Sequence, residues 1–243
     1  MKRSIKLAKH LVLMGVLLAP AYAAPVQGVP VTAQVRTLSE HREAKPAGAE
    51  EAVVWLTPAD GSPVPLPDDT RHYRLMQKDK QFEPHLLVVP VGAKIDFPNH
   101  DPFFHNVFSL YEGKRFDLGL YESGSNRSVV FDRPGVSYIF CSIHSQMAAI
   151  VIALDTPYFA ASSRGGRVTI PNVPPGKYVL HVWHEAASLE KLNLLSRRID
   201  VAGAGLDVGA IDVMVDDNVE LTHKNKYGRD YDAPDPDSPG YQR

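Results

Sequence analysis

The chain has one cysteine, Cys141, in 243 residues. That excludes a disulfide framework within the chain and any zinc site built from several cysteines. An excess of either charge is also missing. Lys and Arg number 26 and Asp and Glu 28, so no basic stripe marks a nucleic-acid footprint. Aromatic residues are scarce at 9%, whereas proline (20) and glycine (17) are plentiful. That balance suits many short strands joined by turns. With 44% hydrophobic residues the chain is neither disordered, collagen-like nor a multi-span membrane protein. Its length allows one domain and a smaller second one.

Residues 1–23 read as a secretory signal peptide. Lys2, Arg3, Lys6 and Lys9 form a basic head, residues 11–19 an apolar middle, and Ala21-Tyr22-Ala23 a small-x-small cleavage site. The apolar run is short for a membrane span, which needs about 20 residues. The expectation is a mildly acidic periplasmic protein with no membrane span after signal removal. A lone exposed thiol oxidises or cross-links chains in such a compartment. Cys141 is therefore expected to be buried and inert, or bound to something.

The periodicity predicts an all-β protein. Strands are expected at residues 29–38, 52–56, 71–76, 85–91, 94–97, 105–110, 128–131, 137–141 and 148–154, with turn chemistry between them. A second β pattern covers 166–170, 178–183, 198–201 and 210–215, and only residues 185–195 hint at a helix. The stretches 39–50 and 111–126 read as loops, and 160–164 as a linker. The organisation expected is a set of N-terminal strands with a Pro-rich loop (24–75), a β-sandwich (76–156), a small β-sandwich module (160–215) and a polar, disordered or partner-binding tail (216–243). The first sandwich is short for its class, so strands within 29–57 complete one of the two. Pairing with the C-terminal module would make the first sandwich an insertion.

The chemistry concentrates at residues 141–147. Cys141, His144 and Met147 share one tight loop between two strands, and His105 opens a strand far upstream. A cysteine sulfur, two imidazoles and a thioether form the ligand set of a trigonal copper site. Thiolate suits Cu(I) and imidazole suits Cu(II), so a mixed set lets the metal change oxidation state with little rearrangement. Each residue also has a plainer reading. Cys141 could be a small core residue, His144 a surface residue and Met147 part of the next strand. His85 and His100 rival His105 but read as structural or solvent-facing. His181 and His184, on opposite faces of one strand, read as structural. Asp101 and Arg115 read as turn and surface residues. The Asp-rich tail lacks the spacing of a calcium loop.

At these residues the chain resembles the cupredoxins. The C-x2-H-x2-M loop has the short length seen in amicyanin, and His105-Asn106 is similar to the family's upstream histidine and asparagine. Phe97-Pro98-Asn99 and Arg133-Pro134-Gly135 extend the likeness over about residues 80–156. The resemblance implies a Greek-key sandwich holding one copper ion, with Asn106 bonding the loop beside the cysteine at Ser142. Ser145 departs from the pattern, since close relatives carry proline after the ligand histidine. The wider chain looks like exported bacterial plastocyanin-like proteins labelled "methylamine utilization protein". In those, a carboxypeptidase-regulatory-like β module follows the copper domain; Gly166-Arg167-Val168-Thr169-Ile170 and Val173-Pro174-Pro175-Gly176-Lys177-Tyr178 match it.

The function expected on this basis is single-electron transfer by a type 1 copper protein, with His144 as the electron exit and Phe103 and Phe104 in an apolar docking face. The partner implied is a periplasmic dehydrogenase or a c-type cytochrome. The alternative is copper delivery or storage without redox turnover. A thiol–imidazole enzyme built on Cys141 and His144 is disfavoured, because no oxyanion or acid residue accompanies the pair.

Overall fold

The computed structural model describes residues 27–48, 52–68, 70–110, 113–216 and 223–231. The signal peptide assigned to residues 1–23 lies outside them, as do residues 217–222 and 232–243 of the tail. Among the described residues no helix is long and apolar enough to cross a membrane.

The fold is all-β. Three strands come first: β1 (Val29–Ser39), β2 (Arg42–Pro46) and β3 (Ala52–Pro58). Ten follow in the central part: β4 (Tyr73–Arg74), β5 (Met76–Lys78), β6 (Gln81–Glu83), β7 (Leu86–Pro90), β8 (Lys94–Pro98), β9 (His105–Ser109), β10 (Phe116–Tyr121), β11 (Asn126–Val130), β12 (Gly135–Phe140) and β13 (Ala148–Leu154). The last part holds β14 (Phe159–Ala161), β15 (Arg167–Val173), β16 (Gly176–His184), the helix α1 (Leu189–Leu195), β17 (Arg197–Val201) and β18 (Leu206–Met214).

Strand pairing settles where the N-terminal strands belong. β1 lies between β15 and β18, antiparallel to the first and parallel to the second. β3 lies between β14 and β16. Both sheets of the module thus mix N-terminal and C-terminal strands, and the central part is inserted between β3 and β14. That central part builds a five-stranded sheet, β10-β9-β12-β13-β7, and a three-stranded sheet, β11-β8-β4, with the β5–β6 hairpin beside them. β4 pairs with β8, so the inserted sandwich starts at Tyr73, upstream of residue 76.

β13 explains its own unbroken apolar sequence. Side chains alternate across a strand, and here both faces are covered. Ala149, Val151 and Ala153 join the core between the two central sheets with Val107, Ile139, Cys141 and Met147. Ile150, Ile152 and Leu154 point the other way and join Leu86 in the core of the module, with Val35, Leu56, Leu180 and Val182. The five-stranded sheet is therefore buried on both sides, one face holding the candidate site and the other resting on the module.

Four strands escape the sequence pattern: β2, β6, β10 and β14. β10 falls in the stretch read as loop. Its pairing with β9 shifts register between Asp117 and Leu120, and Gly119 sits there at φ +67°. A bulge at a left-handed glycine breaks the alternation that would have announced the strand. β2 is polar (REAKP) and, among the described residues, pairs only with β1 at the sheet edge.

Candidate metal centre

His105 opens β9, so strand geometry turns its side chain into the core; it is fully buried. Cys141 is the first residue after β12, also fully buried. The loop from 141 to 147 is pinned by its own backbone. The Met147 amide donates to the His144 carbonyl at 3.1 Å and the Cys141 amide to the Met147 carbonyl at 3.3 Å. That closure brings His144 back beside Cys141.

The three side chains converge. The Cys141 sulfur lies 3.8 Å from Nδ1 of His105 and 3.8 Å from Nδ1 of His144. One ligand atom from each residue falls within 4.8 Å of the others, and all three residues are buried. A metal bound at roughly 2.3 Å to sulfur and 2.0–2.1 Å to nitrogen, with trigonal angles, would need sulfur–nitrogen separations of about 3.8 Å. Both sulfur–nitrogen separations therefore match such an ion. Met147 is fully buried in the same apolar cluster as Cys141.

The electrostatics suit a neutral, dry site. Burial pushes the Cys141 thiol above its usual range, partly opposed by backbone amides of Asn106, Ile143 and His144 directed at the sulfur. Burial pushes His144 down to about 4, helped by neighbouring His105 and Lys80. Burial also holds His105 below its ordinary value, although Asp101 pulls the other way. Both imidazoles are thus neutral near pH 7 and ready to donate a lone pair.

The expected contact between Asn106 and Ser142 is present: the Ser142 hydroxyl donates to Asn106 Oδ1 at 2.5 Å. Asn106 Nδ2 in turn donates to Asp117 Oδ1 at 2.7 Å, and Lys226 of the tail donates to Asp117 Oδ2 at 2.8 Å. The tail reaches the loop directly as well. The Tyr231 hydroxyl donates to the Cys141 carbonyl at 2.5 Å, and the His223 ring stacks on Phe140, centroids 4.0 Å apart. His223, Lys226 and Tyr231 therefore tie this part of the tail to the 141–147 loop and its supports, where composition reads as a disordered or partner-binding tail.

Asp101 differs from its expected place at the surface. It is 3% exposed, and its Oδ2 lies 2.7 Å from Nε2 of His105. Burial alone would raise its carboxyl, but hydrogen bonds from the Lys80 amide, His105 and the Asp79 amide hold it below the ordinary range. The pair is a neutral imidazole donating to a carboxylate. The aspartate–histidine spacing of four residues was the available signal, and the intervening turn disguised it.

Four further histidines, His85, His100, His181 and His184, stay apart from the centre. His85 pairs with Glu185 at 2.8 Å and faces the Ala148 carbonyl at 3.2 Å. His100 is exposed. His181 stacks on Trp55 and contacts the Thr57 hydroxyl at 2.9 Å. His184 Nδ1 accepts from the Ala186 amide at 3.1 Å, capping a turn.

No protein-family model matches the chain, and no curated protein sequence does. Solved structures do resemble it. A purple cupredoxin from Nitrosopumilus maritimus is 23% identical, with 34% of this chain and 99% of that one covered at TM-score 0.31. Amicyanin from Paracoccus versutus is 19% identical, with 41% and 97% covered at TM-score 0.32. A Cu-containing nitrite reductase from Thermus scotoductus is 20% identical at TM-score 0.34; 49% of this chain is covered, but only 28% of the reductase. The neighbours are copper proteins.

Proposed function

We propose that the chain is an exported type 1 copper protein that passes single electrons between redox partners, with His105, Cys141, His144 and Met147 as its ligands. One observation carries the reading: a buried thiol and two imidazole Nδ1 atoms from distant segments stand at metal-binding separations. When bound, copper supplies reversible one-electron chemistry.

The chain's own residues do the rest. Cys141 gives up its proton to ligate as thiolate, and the amides of Asn106, Ile143 and His144 receive that charge. His105 and His144 enter neutral. The bond from Ser142 to Asn106 fixes the cysteine loop to β9, so the ligands move little between charge states. His144 is 6% exposed where the other three ligands have none, which makes it the exit. Phe104, 56% exposed, and Ile143, 38% exposed, offer apolar surface on the segments that carry His105 and His144. Phe103 packs against both rings, with centroids 5.2 and 5.5 Å away. A periplasmic dehydrogenase or c-type cytochrome is the partner class proposed, with residues 1–23 as the export signal. An enzyme role for Cys141 is disfavoured by its burial and raised pKa, which make it a poor nucleophile.

Loading with Cu(II) tests the proposal. The expected result is an intense thiolate-to-copper visible band and a small parallel hyperfine splitting in the electron paramagnetic resonance spectrum, both lost in Cys141→Ala. A colourless, copper-free wild type would end it. Reversible cyclic voltammetry separates electron transfer from copper delivery or storage, in which no reversible couple would be seen.

A further inference from the structure

Asp101 accepts three hydrogen bonds with two oxygens. Oδ1 takes the Asp79 amide at 2.7 Å; Oδ2 takes the Lys80 amide at 3.0 Å and faces Nε2 of His105 at 2.7 Å. Its own amide is held by Asn99 Oδ1 at 3.0 Å, and Asn99 Nδ2 donates to the Phe103 carbonyl at 2.8 Å. Asn99 is fully buried. The turn from 99 to 105 is thereby fixed at both ends, and the carboxylate cannot swing away. The Asp79 and Lys80 amides also have a reason to need it. Both residues are left-handed, at φ 54° and 58°, in the two-residue β5–β6 turn, where Asn-Gly would be the easy choice.

A carboxylate only accepts, so the proton between the two groups sits on Nε2 of His105. Nδ1 then carries the lone pair, and Nδ1 is the atom 3.8 Å from the Cys141 sulfur. An anionic acceptor also pushes more electron density into the imidazole than a neutral carbonyl does. Higher ligand basicity favours the more highly charged metal ion.

On the metal reading above, we propose that Asp101 is a positioning residue of the centre: it fixes the metal-ready tautomer of His105 and stabilises Cu(II) relative to Cu(I), lowering the reduction potential. Asparagine cannot replace it. With the amide oxygen toward His105, the amide nitrogen opposes the Asp79 N–H. With the group flipped, the amide N–H₂ opposes Nε2–H and drives the proton to Nδ1, which blocks the metal.

Two measurements on Asp101→Asn test this. The first needs no metal: long-range ¹⁵N–¹H spectra of the apo protein should show His105 as the Nε2–H tautomer in wild type and as a mixture or Nδ1–H in the variant. The second measures Cu(II) and Cu(I) affinities separately by chelator competition. Cu(II) affinity is expected to fall about 10- to 100-fold, and Cu(I) affinity less. Each tenfold difference between the two equals a potential rise of about 59 mV for one electron. Because the substitution also disturbs the β5–β6 turn, the pair is repeated on Asp79→Gly, which alters the other left-handed position of that turn, keeps the Asp101 carboxylate and is expected to leave the tautomer unchanged. Asp101→Glu retains the charge and is expected to recover part of the Cu(II) preference. An unchanged tautomer, or equal loss of both affinities, overturns the proposal even if the wild type is blue. A wild type that takes up no copper overturns the metal reading and this one together.

Discussion

The Tyr231 hydroxyl hydrogen-bonds the backbone carbonyl of Cys141 at 2.5 Å. A tail residue thus holds the cysteine that the candidate centre depends on. His223 completes the contact, its Nδ1 3.0 Å from the same hydroxyl and its ring stacked on Phe140. Tyr231→Phe removes both partly buried hydrogen bonds of this hydroxyl and should cost about 1–3 kcal/mol. Ending the chain after Asp216 removes the His223 ring from Phe140 and Phe108 as well, and the Lys226–Asp117 bond that backs Asn106. Its loss of stability should exceed that of Tyr231→Phe, and copper should leave it faster. Urea midpoints of the apo proteins and chelator-driven release rates check this; identical midpoints in all three chains would remove the tail from the site.

Copper uptake should release one proton near neutral pH. Burial keeps Cys141 protonated in the apo protein, while His105 and His144 are already neutral. The thiol alone must then ionise. Apparent Cu(II) affinity should rise tenfold per pH unit between about pH 6.5 and the thiol's own pKa. Calorimetry in buffers of different ionisation enthalpy counts the proton directly. A count of zero would mean that the sulfur is already a thiolate, and two would mean that an imidazole is protonated at rest.

The cluster of His105, Cys141 and His144 was legible because its chemistry restricts the residue types. A sulfur, an imidazole and a thioether at three-residue steps have few other reasons to share a loop, and the loop's backbone closure returns His144 to the side of Cys141. Asp101 was not legible: a lone carboxylate after Asn99 and His100 looks like any turn, and only the folded turn aims it at His105. The place of residues 29–58 was equally hidden. Their partners, β15, β16 and β18, lie beyond the inserted sandwich, and strand alternation fixes which face is apolar but not which distant strand is neighbour. In the tail, averaging over polar residues concealed His223 and Tyr231, the two aromatic rings that dock.

Acid should destabilise the apo protein well before its carboxylates titrate. The folded pKa of His144 lies at about 4, below the unfolded value near 6.5. The unfolded chain therefore binds the proton first, and stability falls as pH drops from about 6.5 to about 4. For this residue the loss approaches roughly 3 kcal/mol at the lower end. His105, His181 and His223, also lowered by burial, add in the same direction. His144→Asn should flatten the profile measured by urea unfolding from pH 7.5 to 4.5. An unchanged slope would show that His144 is protonated in the fold.

The inserted sandwich should not be comfortable alone. Its five-stranded sheet turns Leu86, Ile150, Ile152 and Leu154 toward the module, where each is at most 8% exposed. Cut out as residues 73–156, the sandwich would expose that row as one apolar face, which favours self-association. The site lies on the opposite face, in the core shared by Cys141, Met147, Ala149 and Val151, so separation leaves that core intact and removes only the tail contacts of His223, Lys226 and Tyr231. Residues 73–156 are expected to elute as a dimer or larger species in size-exclusion chromatography. The double variant Ile150→Lys/Ile152→Lys should restore a monomer without changing Cu(II) uptake. In the full chain the same two changes should be severely destabilising, because they place two unpaired charges in the core between sandwich and module. A monomeric wild-type fragment, or a full-length double variant of unchanged stability, would mean that this sheet face is not a packed interface.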